Sequence, residues 1–193
     1  GPDEGEIYLS DIRLTHLPEH KRAKYLGRIF QDPLMGTAAS MTIEENLAMA
    51  DLRGRHRGLR WGVSSVRRDF YLEKVKVLGL GIEDRLKQSV SLLSGGQRQS
   101  LTLVMATLSL PKLLLLDEHT AALDPKTAQR VIELTDKIVS ENNLTTIMVT
   151  HNMHQAIQYG NSMIMLHEGK ILFQVSGEEK KALTVQELVR RTG

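Results

Sequence analysis

Apolar residues recur along this chain in two patterns, which predict an alternation of strands and helices. Short runs that are continuously apolar, or that alternate with polar residues, predict strands at residues 6–10, 27–30, 113–116, 145–149, 162–166 and 170–175. Apolar residues three and four positions apart predict helices between most of these runs. The last two strands flank Glu168-Gly169, a pair that favours a hairpin turn.

Capping residues mark where several of these helices begin. Capping-box spacing occurs at Thr42 with Glu45 and at Thr184 with Glu187. Asp124 precedes a proline, as expected for an N-cap followed by the first helical position. A helix with one buried stripe is predicted from Leu101, Val104, Met105 and Leu108. Another amphipathic helix, stopped at Gly79, is predicted from Leu72, Val75 and Leu78.

Strands that alternate with helices of this length predict an α/β fold, with a mostly parallel sheet and helices on both of its faces. The continuous apolar run at 113–116 is typical of a strand covered on both faces, and residues 145–149 are predicted to form the next buried strand. Residues 42–92 read as mostly helical and are predicted to form a helical subdomain. The whole chain, residues 1–193, is predicted to be one domain.

One segment breaks the helical pattern. Residues 51–62 are rich in glycine and contain four arginines beside Trp61. We expect an exposed loop here. A docking surface for a partner or for lipid headgroups is the alternative.

Composition narrows the class of protein. The formal charge of +2 over 193 residues predicts no nucleic acid or other bulk polyanion as partner. Cysteine is absent, which excludes disulfides and cysteine-based metal sites and fits a reducing compartment. No apolar run reaches the roughly 18 residues of a spanning helix. A soluble, intracellular protein is therefore expected, which can still dock on a membrane protein.

The run Ser94-Gly95-Gly96-Gln97 is the first candidate for chemistry. A capping box accounts for the serine and the glutamine. It does not account for two glycines in a first helical turn, where each costs up to about 1 kcal/mol relative to alanine. Glycines there favour close approach of a ligand to the backbone, and a helix N-terminus attracts anions. We therefore predict a phosphate site.

Two adjacent carboxylates, Asp117 and Glu118, follow the apolar run at 113–116. Ligands of parallel sheets bind beyond the carboxyl ends of the strands. One carboxylate can hold Mg²⁺, usually through water, and the other can act as a general base toward a water molecule. The alternative is an aspartate N-cap, which does not need the second acid.

Polar residues end two further predicted strands. His151 follows the run at 145–149, and Gln31 follows the run at 27–30, so both are expected at the rim that carries the carboxylates. Each is a weak signal alone. The histidines without metal-ligand spacing are interpreted as surface or supporting residues, namely His119, His154 and His167.

Taken together, these motifs closely resemble the ATP-binding subunit of an ABC transporter, which has a P-loop NTPase-like fold. Residues 93–97 resemble the signature motif, and residues 113–118 resemble Walker B with its catalytic glutamate. Residues 121–124 resemble the D-loop, His151 the switch histidine, and Gln31 the Q-loop glutamine. The five motifs stand in the family's order.

The resemblance implies a site for ATP and Mg²⁺. The nucleotide-binding set would comprise Ser94, Gly95, Gly96, Gln97 and Asp124. The catalytic set would comprise Glu118, His151 and Gln31, and the magnesium set Asp117 and Gln31.

Each role follows the family pattern. Gly95 and its neighbours would contact the γ-phosphate of ATP held by a second subunit. Glu118 would polarise the attacking water, and His151 would contact the γ-phosphate. Gln31 would sense Mg²⁺ and relay closure to the membrane subunit, while Asp124 would couple the two sites.

The implied partners are a second ATPase subunit, most simply an identical copy, transmembrane permease subunits and a solute-binding protein. The implied location is cytoplasmic, peripheral on the inner face of the cell membrane. The stretch before the signature lacks a Glu-Arg-Gly element, which favours an importer. Residues 36–46, together with residues 113–126, resemble ATPase subunits of bacterial importers for aromatic amino acids or similar solutes.

The sequence departs from the family at two points. His119 stands where the family usually has proline, and little effect is expected. No Gly-x-x-x-x-Gly-Lys-Ser/Thr, the Walker A pattern, occurs in these residues. We expect an N-terminally truncated form that begins just after the Walker A helix, binds ATP weakly and does not hydrolyse it. A soluble non-transport ABC ATPase and a non-catalytic interaction module remain alternatives.

Overall fold

The structure, a computed structural model, describes residues 2–53 and 64–192. The chain divides into two compact units, residues 1–148 and 149–193. The single domain expected over residues 1–193 stays a prediction. Most of the predicted loop at 51–62 lies outside the described residues.

The elements follow the predicted alternation. The strands are β1 (Tyr8–Leu9), β2 (Ile12–Arg13), β3 (Leu26–Ile29), β4 (Leu113–Asp117), β5 (Thr146–Val149), β6 (Ser162–His167) and β7 (Lys170–Ser176). The helices are α1 (Glu19–Arg22), α2 (Ile43–Asp51), α3 (Ser65–Lys76), α4 (Gly95–Thr107), α5 (Pro125–Glu141), α6 (Met153–Gln158), α7 (Gly177–Ala182) and α8 (Val185–Thr192). Short 3₁₀ turns lie at Glu83–Arg85 and Val90–Leu92. The predicted strand at 6–10 is reduced to β1, because Ser10 turns into a left-handed conformation with φ of 52°.

The central sheet has the order β3-β4-β5, and β3 pairs with β4 in parallel. This confirms the predicted parallel sheet. Leu114 and Leu116 are buried under α4 and α5, in a cluster with Ile29. The opposite face of the sheet is covered less. Ile147 and Val149 of β5 are each more than half exposed, so the burial predicted for this strand is wrong at these residues.

Helix α4 lies between two cores, which corrects the single buried stripe predicted for it. Leu101 and Met105 pack in a cluster with α2 and α3, whereas Leu103 and Ala106 pack in the cluster under the sheet. Side chains on nearly all sides of the helix are therefore buried, polar ones included. Buried threonines such as Thr107 satisfy their hydroxyls on carbonyls of the preceding turn.

The segment 42–92, predicted to be a helical subdomain, carries α2, α3 and the two 3₁₀ turns within its described part. The Thr42–Glu45 capping box that begins α2 is present. Asp51 was expected to open an exposed loop, but it is buried at the end of α2. Its carboxylate accepts a hydrogen bond from the Tyr71 hydroxyl at 3.0 Å and forms an ion pair with Arg67, and this pairing explains the burial of a charged residue there.

The second unit consists of the β6–β7 hairpin and helices packed on one of its faces. The strands are antiparallel, and the turn residues Glu168 and Gly169 both have positive φ, as a type I′ turn requires. The predicted hairpin is therefore confirmed. The buried Lys180 ammonium donates hydrogen bonds to three backbone carbonyls at the end of α6, those of Ile157, Tyr159 and Gly160. The Ile157 carbonyl lies in the last turn of α6 and the other two directly follow the helix, so the ammonium caps the C-terminal end of α6.

Within the part of the chain that the structure describes, no helix has the length and apolar character needed to cross a membrane.

Candidate functional site

The predicted phosphate site is the N-terminus of α4, and the structure confirms the capping box there. The Ser94 hydroxyl accepts a hydrogen bond from the Gln97 amide at 3.2 Å. The Gln97 side chain accepts one from the Ser94 amide at 3.1 Å. The amides of Gly95 and Gly96 lie in the first turn, where an α-helix supplies no intrahelical partner. The positive end of the helix dipole therefore faces outward at this turn.

The two positions in this turn are glycine for different physical reasons. A Cβ on Gly96 would lie 2.2 Å from the Thr127 Cγ2 atom, so this glycine allows α4 and α5 to approach each other. A Cβ on Gly95 would meet only Leu123, at an ordinary 3.5 Å. Packing within the chain thus explains Gly96, while exposed Gly95 still has room for a side chain.

Asp124 lies close to this turn, at the N-terminus of α5. Its carboxylate accepts a hydrogen bond from the Thr127 amide at 3.1 Å, which confirms the predicted N-cap. Hydrogen bonds from the Thr127 hydroxyl and amide lower the pKa of Asp124. Asp124 and the glycine turn of α4 are therefore joined through one residue, Thr127.

Asp117 ends β4 and forms an ion pair that the sequence analysis missed. The Arg28 guanidinium lies 3.2 Å from the Asp117 carboxylate, and both side chains are about half exposed. The guanidinium also stacks on the Phe30 ring at 4.5 Å. The register explains the pair: Arg28 lies opposite Leu115, and a side chain two residues further along β4 points from the same face. Knowledge of this register would have been needed to find it.

Gln31 and Asp117 line one open depression of about 390 Å³. Its other lining residues are Phe30, Asp32, Met35 and Ala122. The structure thus brings together the two residues predicted to hold Mg²⁺. Carboxylate and amide oxygens are ligands that Mg²⁺ accepts, and the ion usually keeps several waters, so an open site fits it.

Glu118, the predicted general base, has a backbone conformation that non-glycine residues seldom adopt. Its φ is 43°, and its carbonyl accepts the amide of Ala121 at 2.9 Å, so the chain turns sharply after β4. Such conformations cost on the order of 1–3 kcal/mol and cluster at functional sites. Because of this turn, the half-buried Glu118 side chain does not continue the alternating pattern of side chains along β4.

His119 was expected to be a surface or supporting residue, but it is almost completely buried. Its Nε2 atom lies 3.1 Å from the Thr135 hydroxyl, which itself donates to the Val131 carbonyl. Since that hydroxyl gives its one proton to Val131, the His119 Nε2 atom is the donor of this hydrogen bond. Burial lowers the pKa of His119 to about 4. Burial rules out the surface position for His119 and leaves a supporting one.

His151 is exposed and belongs to the second unit, so its approach to Glu118 stays a prediction. His154 and His167 are exposed, as expected for surface residues. Among residues 2–53 and 64–192 no group of three or more histidines and acids could hold a metal ion. A magnesium ion here would therefore depend on phosphate and water for most of its ligands.

Comparison with known proteins identifies the family. Residues 1–121 match the family described as ABC transporter. The tyrosine transport ATP-binding protein of Clostridioides difficile is 48% identical over 187 residues, which cover 97% of this chain and 74% of that protein. The methionine import ATP-binding protein MetN of Streptococcus agalactiae is 31% identical, over 88% of this chain but only 45% of its own length.

Solved structures of other proteins show the same fold as this chain. The dimeric structure of the ATP-binding cassette MJ0796 with ADP and Pi has a TM-score of 0.74 and 28% identity, covering 91% of this chain and 74% of that one. The predicted α/β cassette fold is therefore confirmed. The family match covers more than half of the chain, and the relatives match almost all of it. The chain belongs to the ABC transporter family, as an ATP-binding cassette.

Proposed function

We propose that this chain is part of the ATP-hydrolysing subunit of an importer, and that the glycine turn of α4 closes over a nucleotide held by a second subunit. Gly95 carries the proposal. It costs stability in a helix, it is exposed, and packing leaves room for a side chain on it. A phosphate that approaches the bare backbone is a physical reason for a glycine at this position.

The hydrolytic groups supply positioning and charge, as phosphoryl transfer requires. Asp117 and Gln31 would hold Mg²⁺, which would supply charge to neutralise the phosphates. Glu118 accepts a proton from the attacking water, and His151 donates a hydrogen bond to the γ-phosphate. Arg28 would share the Asp117 carboxylate with that cation or give it up, because the two lie 3.2 Å apart in this structure.

The proposed assembly is a homodimer on transmembrane permease subunits, at the cytoplasmic face of the membrane, with a solute-binding protein in the complete system. The dimeric relative supports the second copy. Relatives described as tyrosine transport and methionine import proteins support import of an amino acid or a similar small solute.

The 193 residues alone are proposed to lack ATPase activity, because they contain no Walker A pattern to hold the phosphates in cis. Calorimetric titration of this chain with MgATP should show no tight binding. A dissociation constant in the micromolar range would contradict this part of the proposal.

The phosphate role of the glycine turn is tested with Gly95→Asp in the complete transporter. An acid in the first turn favours the helix dipole, so thermal stability should stay the same or rise. ATPase activity should be lost, because the new carboxylate repels the γ-phosphate. Gly95→Ala is the matched control for added bulk. Full ATPase activity in Gly95→Asp would refute the phosphate role.

A further inference from the structure

Gln99 connects the two segments that carry the candidate catalytic groups. It lies in the second turn of α4 and is fully buried. Its side-chain amide donates one hydrogen bond to the Phe30 carbonyl at 3.0 Å and one to the His119 carbonyl at 2.7 Å. Phe30 directly precedes Gln31, and His119 directly follows Glu118. One side chain therefore bridges the ends of both segments.

The orientation of this amide is fixed by its neighbours. Both contacts are backbone carbonyls, which only accept, so the NH₂ group must face them. The opposite orientation would place three carbonyl oxygens together. Both donors are used, which fixes the spacing between the end of β3 and the turn after β4.

Gln99 also has a feature that packing alone does not explain. Its Oε1 atom is buried and has no hydrogen-bond partner among the described residues. A buried unsatisfied acceptor costs free energy, and an apolar side chain of equal size would avoid that cost. The two donated hydrogen bonds are therefore the reason for an amide at this position.

We propose that Gln99 is a positioning residue that holds the backbone next to Gln31 and the backbone next to Glu118 at a fixed spacing. Both carbonyls belong to the backbone, so each hydrogen bond holds main chain that is directly joined to a candidate catalytic residue. The consequence for catalysis rests on the function proposed above. The placement itself does not depend on that function.

The placement is tested by hydrogen–deuterium exchange of Gln99→Met, which keeps the size of the side chain and removes both donors. Exchange should accelerate about tenfold, as expected for the loss of a buried hydrogen bond. This acceleration should occur in both peptide 26–36 and peptide 117–123. Thr107→Val is the control, since Thr107 is a buried polar residue of α4 that bonds only within its helix. Unchanged exchange in either peptide, or the same acceleration in the control, would overturn the proposal.

Gln99→Leu provides a second apolar variant if the methionine variant does not fold. In the complete transporter, either variant should lower kcat for ATP by about tenfold or more through misplacement of the reacting groups. KM should stay the same, because Gln99 does not line the candidate site. An unchanged kcat would overturn the positioning role. If the wild-type transporter itself hydrolyses no ATP, the proposed function fails, and the exchange experiment still decides the placement.

Discussion

His119 should make the stability of this chain depend on pH in the range below neutrality. In the folded chain the imidazole is buried and neutral, and its Nε2 atom donates to Thr135. Protonation would add a proton at Nδ1 and place a positive charge in this buried site. Burial therefore lowers the pKa of His119 from 6.5 to about 4.

The sign and size of the effect follow from proton linkage. Above pH 6.5 both the folded and the unfolded chain hold a neutral His119, so the contribution to stability is fully present. Below pH 6.5 His119 of the unfolded chain binds a proton, whereas His119 of the folded chain does not bind it until the pH falls to about 4. The free energy of unfolding should therefore fall by about 2 kcal/mol at pH 5 and about 3 kcal/mol at pH 4.

The assay is urea unfolding followed by circular dichroism, at a series of pH values from 7.5 to 4. His119→Gln keeps a hydrogen-bond donor and cannot titrate, so its stability should fall less steeply than that of the wild type. His154→Gln is the control, because His154 is exposed. The reasoning is refuted if the wild type and His119→Gln lose the same stability between pH 7 and pH 4.

Two further predictions concern packing and capping. Gly96→Ala should lower the free energy of unfolding by about 1–3 kcal/mol through a clash with Thr127. Adding Thr127→Ser deletes the clashing methyl and should restore most of this stability, as measured by thermal denaturation. Lys180→Met should destabilise the second unit by about 2 kcal/mol, because three carbonyls lose a charged donor. Lys181→Met, which removes only an exposed ion pair, should have little effect; equal losses for the two lysines would contradict the capping role.

Features that depend on neighbouring residues in the chain could be predicted from the sequence. The capping boxes at Thr42 and Ser94 and the N-cap at Asp124 each need residues three positions apart. The hairpin turn at 168–169 needs two residues that tolerate positive φ. These interactions are local, so the same residues make them in any surroundings.

Features that depend on distant segments could not be predicted in this way. The Arg28–Asp117 pair requires the register of two strands that lie 89 positions apart at these residues. The burial of His119 and the bridge made by Gln99 require the packing of α4 and α5 against the sheet. Periodicity showed one apolar stripe on α4, but it could not show that polar residues on the other faces meet buried carbonyls.

The central claim is that Glu118 activates water in an ATP site completed by a second subunit. The most direct test compares ATPase rates of the complete transporter carrying wild type, Glu118→Gln or the control Glu133→Gln, which alters an exposed acid on α5. Loss of a general base should lower the rate of Glu118→Gln by about 10²–10⁴-fold, while the control keeps the wild-type rate. Equal rates in the wild type and Glu118→Gln would contradict the claim.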